Sequence, residues 1–217
     1  MAFSSLNSFS ASTGLGVSSK KTTTTTYSSG LYYKGYTNNT TSNSYPYNWD
    51  QNKSYANSVS FFNNNTAAYT GTTNQINANY SSFVGNSTSN TAISFYGYFK
   101  PNVTGIWTFL FGNTTLPPDD LATFWIGTAG QTTTSLRASA TNSNYQKGSN
   151  YQTSGITNWA YTTPSSLTSG LYYPIMMNWG QNTGGQQLYL QFAQVSTATT
   201  GTAWINNGSG YYYNTGA

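Results

Sequence analysis

The sequence predicts an all-β protein, an antiparallel β-sandwich preceded by an N-terminal Ser/Thr-rich arm. Three observations lead there. Apolar and polar residues alternate with period two in ISFYGYFK (93–100), GIWTFLF (105–111) and QQLYLQF (186–192). Aromatic residues make up 17 % of the 217, with 20 Tyr, 11 Phe and 6 Trp. Such rings favour pleated, half-buried surfaces and bury large areas. Asn, Thr, Ser and Gly fill the remainder, which suits turns and strand edges, and no long apolar pattern of period 3.6 is present.

Residues 1–29 carry a Thr run from Thr22 to Thr26 and almost no apolar periodicity. They read as a flexible or assembly arm with Phe3, Leu6 and Phe9 as anchors. The domain is expected over 30–217. It opens with GLYYKGY at Gly30, and short strands or docked loops are expected at SYPYNWD (44–50) and VSFF (59–62). A further strand is expected near 80–84. Ile93, Phe95 and Phe99 share one face of the next strand, with Gly97 in the same register. After the PNVTG turn, Trp107, Phe109 and Phe111 share a face, and the two strands read as an antiparallel hairpin. In LATFWIG, Phe124 and Ile126 share a face. Residues 128–169 read as polar and turn-rich, with Leu136, Ile156 and Trp159 as isolated apolar points. LYYPIMMNW (171–179) is a strand whose Pro174 belongs at a start, an edge or a bulge. Leu188, Leu190 and Phe192 face inward on the next strand. Trp204-Ile205 and Tyr211-Tyr212-Tyr213 close the sheet. Many short strands between turn signals mean a sandwich or barrel, and negligible helix is expected.

Composition excludes several classes. Charged residues are 5 %, and the net charge of +4 arises from scarcity of acid. The seven cations are Lys20, Lys21, Lys34, Lys53, Lys100, Arg137 and Lys147. They are spread thinly, unlike the concentrated basic face of a nucleic-acid binder. No apolar run is long enough for a membrane span, so no membrane insertion is expected. The start MAFSSLNSFSASTGLG lacks the basic and apolar regions of a signal peptide. With no His, Cys or Glu, the usual acids, bases and nucleophiles are missing, so an enzyme is not expected.

Three acidic residues occur, Asp50, Asp119 and Asp120, and two of them are adjacent in the Pro-led loop between aromatic runs. Adjacent carboxylates repel, and a hard divalent cation with oxygen ligands resolves the repulsion. Asn178, Gln181 and Asn182 are expected in a Gly-rich loop after a strand, where further oxygens are available. The plain alternative is a solvated or turn-capping Asp pair.

Three stretches in order, GYFKPNVTGIWTF, DDLATFWIG and LYYPIMMNWGQNTGGQQLYLQF, resemble the PA14 domain, in particular its GLEYA branch of fungal cell-wall adhesins. The resemblance spans roughly residues 30–192 and implies a PA14-like β-sandwich. It also implies a Ca²⁺ held by Asp119 and Asp120, with Asn182 from the Gly180–Gly185 loop and Gln181 as runner-up. Such a calcium accepts sugar hydroxyls, which makes Asp119, Asp120, Gln181, Asn182 and Gly184 the implied carbohydrate-binding residues. The chain departs from those adhesins in lacking Cys pairs and a secretion signal. Its ending GSGYYYNTGA resembles PA14-like proteins of large DNA viruses of algae and protists. Two readings therefore stay open. One is a calcium-dependent glycan-binding module on a virion or an extracellular surface. The other is a structural protein that self-assembles or joins a capsid through the N-terminal arm.

Overall fold

The computed structural model describes residues 24–37, 61–63, 65–76, 81–85, 91–111, 121–140, 147–148, 160–161, 165–181, 189–199 and 201–216. Twelve strands fall in these stretches. They are β1 (Ser28–Ser29), β2 (Leu31–Tyr36), β3 (Tyr69–Thr73), β4 (Thr91–Phe99), β5 (Gly105–Phe111), β6 (Leu121–Ile126), β7 (Lys147–Gly148), β8 (Ala160–Tyr161), β9 (Ser165–Leu167), β10 (Tyr173–Gln181), β11 (Leu190–Ala193) and β12 (Tyr212–Asn214). The larger sheet runs β1-β12-β4-β10-β6-β7, with β2 pairing both β4 and β3. The smaller has β5 between β11 and β8, with β9 also on β5. Every pairing in both is antiparallel.

The core lies between the sheets and follows the alternation in the sequence. Ile93, Phe95 and Phe99 of β4 and Ile175, Met177 and Trp179 of β10 face Trp107, Phe109, Leu190 and Phe192 of the smaller sheet, with Phe124 of β6 joining them. Phe99 is the hub: its ring lies 5.0 Å from both Phe109 and Phe192 and 5.3 Å from Trp107, each edge to face. That arrangement suits aromatic quadrupoles and adds to the area buried. Gly97 keeps the same inward register for a steric reason. A Cβ there would run into the Tyr213 carbonyl oxygen and lie 2.8 Å from Leu31 Cδ2. Pro174, the second residue of β10, lies where a missing N–H is tolerated, just ahead of the β6 pairing that starts at Ile175.

Four sequence expectations are corrected. The strands around the PNVTG turn do not pair as a hairpin: β4 belongs to the larger sheet and β5 to the smaller. Their apolar faces meet across the core, so the turn carries the chain from one layer to the other. It is held by Gly170 N–H donating to the Pro101 carbonyl and by Ser169, whose hydroxyl donates to Asn102 O and whose N–H donates to Thr104 Oγ1. The strand expected near 80–84 is a helical turn, α1 (Ser81–Val84), whose Phe83 packs edge to face on Tyr33 and Phe95. In VSFF, Phe61 and Phe62 are helical and cover Tyr36 and Ala92. The turn-rich stretch contains α2 (Thr133–Ser139). Thr132 caps it by accepting from Ser135 N, and Leu136 anchors it on Trp125 and Met176. α1 joins the main core on the inner face, whereas α2 and the Phe61–Phe62 turn cover the outer face of the larger sheet, so β4 and β10 are buried on both faces. These helical pieces are also the reason helix is not negligible.

The segment expected as an arm is tied down at its end. Ser28 and Ser29 pair with Asn214 and Tyr213, and Tyr27 packs on Tyr98 and Tyr172. Residues 1–23 lie outside the described residues, as does SYPYNWD.

Candidate functional site

The larger sheet presents one end to the loops that carry the sequence-predicted residues. In the β10–β6 pairing Gly180 stands opposite Leu121, and in the β10–β4 pairing Gln181 stands opposite Thr91. The chain enters β6 directly from Asp120 and leaves β10 directly toward Asn182. Two segments some sixty residues apart in sequence are therefore rooted on hydrogen-bonded neighbours, about 4.8 Å apart across the sheet. Asp119, Asp120, Asn182 and Gly184 lie outside the described residues, and of Gln181 the backbone alone, as the last residue of β10, is described.

Asn178 is not in the Gly-rich loop, contrary to the sequence reading. It sits inside β10, fully buried, on the face of the sheet opposite the main core. The strand continues to Gln181 because Trp179, on the core face, is buried and holds the backbone in register. Across the sheet the same row reads Lys34, Ser94, Asn178, Thr123. This polar row runs between the apolar pair Tyr36–Ala92 on one side and Tyr96, Met176 and Trp125 on the other. Among the described residues neither amide atom of Asn178 has a hydrogen-bond partner, nor has the Thr123 hydroxyl beside it. Each such buried group costs about 1–3 kcal/mol. The row lies two residue pairs beneath the loop roots at Gly180 and Leu121. Sequence reasoning missed it because Ser94, Asn178 and Thr123 look like ordinary outward positions of half-buried strands.

The donor set that the sequence offers at this end is all oxygen: two carboxylates, side-chain amides and backbone carbonyls. That chemistry fits a hard cation such as Ca²⁺, and the common rooting of the two segments is compatible with one site drawing on both. Among the described residues there is no group of three or more His, Cys, Asp or Glu that could hold a metal. No described helix is long and apolar enough to cross a membrane.

Comparison with known proteins bears on this same part of the chain. Residues 91–194 match the GLEYA domain. The matched stretch runs from β4 through β11 and includes both loop roots. Among solved structures, the Epithelial Adhesin 6 A domain from Candida glabrata, in complex with Galβ1-3GlcNAc, is similar with a TM-score of 0.59 and 21 % identity, over 88 % of this chain and 89 % of that one. The PA14 sugar-binding domain from an RTX adhesin is similar with a TM-score of 0.57 and 14 % identity, over 86 % and 98 %. The PA14 domain of the MpAFP antifreeze protein follows with 0.56 and 15 %, over 90 % and 95 %. These likenesses show a PA14-like fold, with the GLEYA match lying on its central strands. No curated protein matches the chain.

Proposed function

We propose that this chain is a non-enzymatic carbohydrate-binding module of an outer surface, and that it binds its glycan through Ca²⁺ held by Asp119, Asp120 and Asn182. The observation that supports this reading best is the register that sets Leu121 beside Gly180 and Gln181 beside Thr91. It roots the acidic pair and the Gly-rich loop on adjacent strands of the GLEYA-matched segment. Asp119 and Asp120 supply the negative charge, and Asn182, with Gln181 as the alternative, supplies a neutral oxygen. Gly184 leaves room for a sugar ring to approach the loop. When bound, the cation offers open coordination positions to vicinal hydroxyls, and the chain's own residues fix where those hydroxyls meet it. Three solved neighbours carry Galβ1-3GlcNAc, Galβ1-4GlcNAc or β-lactose, so β-galactosides are the first glycans to test.

A site with this few charges on surface loops has an expected dissociation constant of roughly 10⁻⁴–10⁻³ M for calcium. At about ten times that constant, binding stabilises the folded state by about 1.4 kcal/mol. Thermal melts in millimolar calcium, in magnesium and in chelator test the reading, beside a glycan array run with and without calcium. Calcium raises the melting temperature and magnesium does so poorly, because magnesium demands a tighter octahedron. Asp120→Asn weakens the calcium effect. Coincident melts in all three conditions, with no calorimetric calcium heat, defeat the proposal.

A further inference from the structure

The outer face of the larger sheet gathers positive charge in a chain that has little. Of the seven cations, Lys34 of β2 and Arg137 of α2 converge on one ring, that of Tyr96. The Lys34 ammonium lies 5.9 Å and the Arg137 guanidinium carbon 5.0 Å from its centroid. Both side chains are half-buried. Among the described residues, Arg137 has a single hydrogen-bond partner, Asn63, whose Oδ1 accepts from Nη2 at 2.9 Å, and Lys34 has none. Beside the guanidinium is a cavity of about 220 Å³, lined by Asn63, Thr134, Arg137 and Ala138. A Lys and an Arg drawn partly out of water around one ring repel each other, and the cost shows on Lys34. Burial, and then the Arg137 charge, push its ammonium below the usual lysine range. The ring and the Asn63 carbonyl offset part of this, as cation–π contacts and a charge-assisted hydrogen bond do. They supply no negative charge, and all three acids of the chain lie outside the described residues.

We propose that Lys34, Arg137 and the Tyr96 ring form a binding site for one anionic group, a carboxylate, sulfate or phosphate, on the outer face of the larger sheet. Arg137 and the neighbouring Thr134 line the cavity, which has room for a group of that size, and supply its donors, while Lys34 near the same ring adds positive charge. The site draws on none of Asp119, Asp120 and Asn182 and needs no calcium. An acidic sugar and a free oxyanion share this chemistry.

The test is a titration of the folded chain in chelator with sodium sulfate, sodium phosphate and sodium acetate, each against sodium chloride at equal ionic strength. Nitrogen–proton spectra of the Arg137 side chain and thermal melts are the readouts. Sulfate or phosphate produces a saturable shift at Arg137 and a saturable rise in melting temperature, and a response to acetate extends the site to carboxylates. Lys34→Gln weakens the response about tenfold, as loss of one of the two positive charges does. Arg137→Gln abolishes it. Should Arg137→Gln unfold α2, Lys34→Gln decides alone, because the Arg137–Asn63 bond is intact in it. A rise that never saturates and is equal in the wild type and Lys34→Gln is a general salt effect and overturns the site. So does saturable binding that appears only after Asp50→Asn, because a carboxylate of the chain itself would then be the occupant. An acidic-sugar oligosaccharide run beside its neutral parent separates a glycan source from a free anion.

Discussion

Tyr27 lies flat on Tyr172, ring centroids 3.6 Å apart and planes within 7°. Tyr98 closes one edge of this pair and Tyr213 the edge of Tyr172, while the Lys100 ammonium sits 4.9 Å from the Tyr172 centroid. The stack joins the residue that precedes β1 to the residue that precedes β10, 145 positions on in the sequence. It fixes where the N-terminal segment meets the domain.

Tyr27→Ala should lower stability by about 1–2 kcal/mol, the loss of a partly buried ring and its aromatic contacts. Removing residues 1–23 should leave the melting temperature within a degree or two, whereas removing 1–29 also strips β1 from β12 and should lower it clearly. Equal melting temperatures for the two truncations would contradict the docking. Protease trimming of an isolated monomer should stop near residue 24.

Phe99 has rings of four other strands or loops around it, so its truncation leaves a cavity that no neighbour can close. Phe99→Ala and Phe109→Ala should each cost about 3–5 kcal/mol, measured by urea unfolding. A loss below about 1.5 kcal/mol in both would mean that the two sheets do not share this core.

Tyr212 is fully buried, and its hydroxyl has no hydrogen-bond partner among the described residues. Tyr212→Phe keeps the ring and removes the stranded oxygen. It should stabilise the fold by about 1 kcal/mol, because a buried unpaired polar group is a net loss. A lower melting temperature would show that the hydroxyl is satisfied in solution.

Burial pushes the Tyr36 phenol up to about 12, with Arg137 opposing the rise. Its hydroxyl donates to the Phe62 carbonyl at 3.2 Å. The unfolded chain loses this proton near pH 10 and the folded chain only near 12. Between those values the folded state holds more protons, so stability falls as pH rises through that window. Tyr36→Phe should flatten this part of the curve, read from chemical unfolding at fixed pH steps with phenolate absorbance as the titration signal.

The central strands were legible because alternation is a local signal. Ile93, Phe95 and Phe99, then Trp107 and Phe109, then Leu190 and Phe192, face inward as the period-two pattern requires. Pattern fixes which face a residue takes but not which strand lies beside it, and so β4 and β5 read as a hairpin although they stack in different layers. Phe61, Phe62, Phe83 and Leu136 belong to pieces of a turn or two, too short for a helical period and helical because of what they pack on. At the candidate site, residue chemistry was legible in Asp119 and Asp120. The row Lys34, Ser94, Asn178 and Thr123 was not, since it exists only once four distant strands are in register.

The β1–β12 pairing also decides how the domain bears force. The chain enters β1 and leaves β12 on the same side of one antiparallel pair, Ser28 facing Asn214. Tension between the two chain ends would peel that ladder one bond at a time, a mechanically soft geometry. The pair sits beside Tyr98 and Phe99, at the far end of β4 from Thr91 and the loop roots. A pull between the loop roots at Leu121 and Gly180 and either tail would run along the strands instead. Such a load crosses the two β12–β4 pairs before it reaches the nine registered pairs of β4 and β10, so the β1–β12–β4 edge is the first part of the sheet to give in either direction.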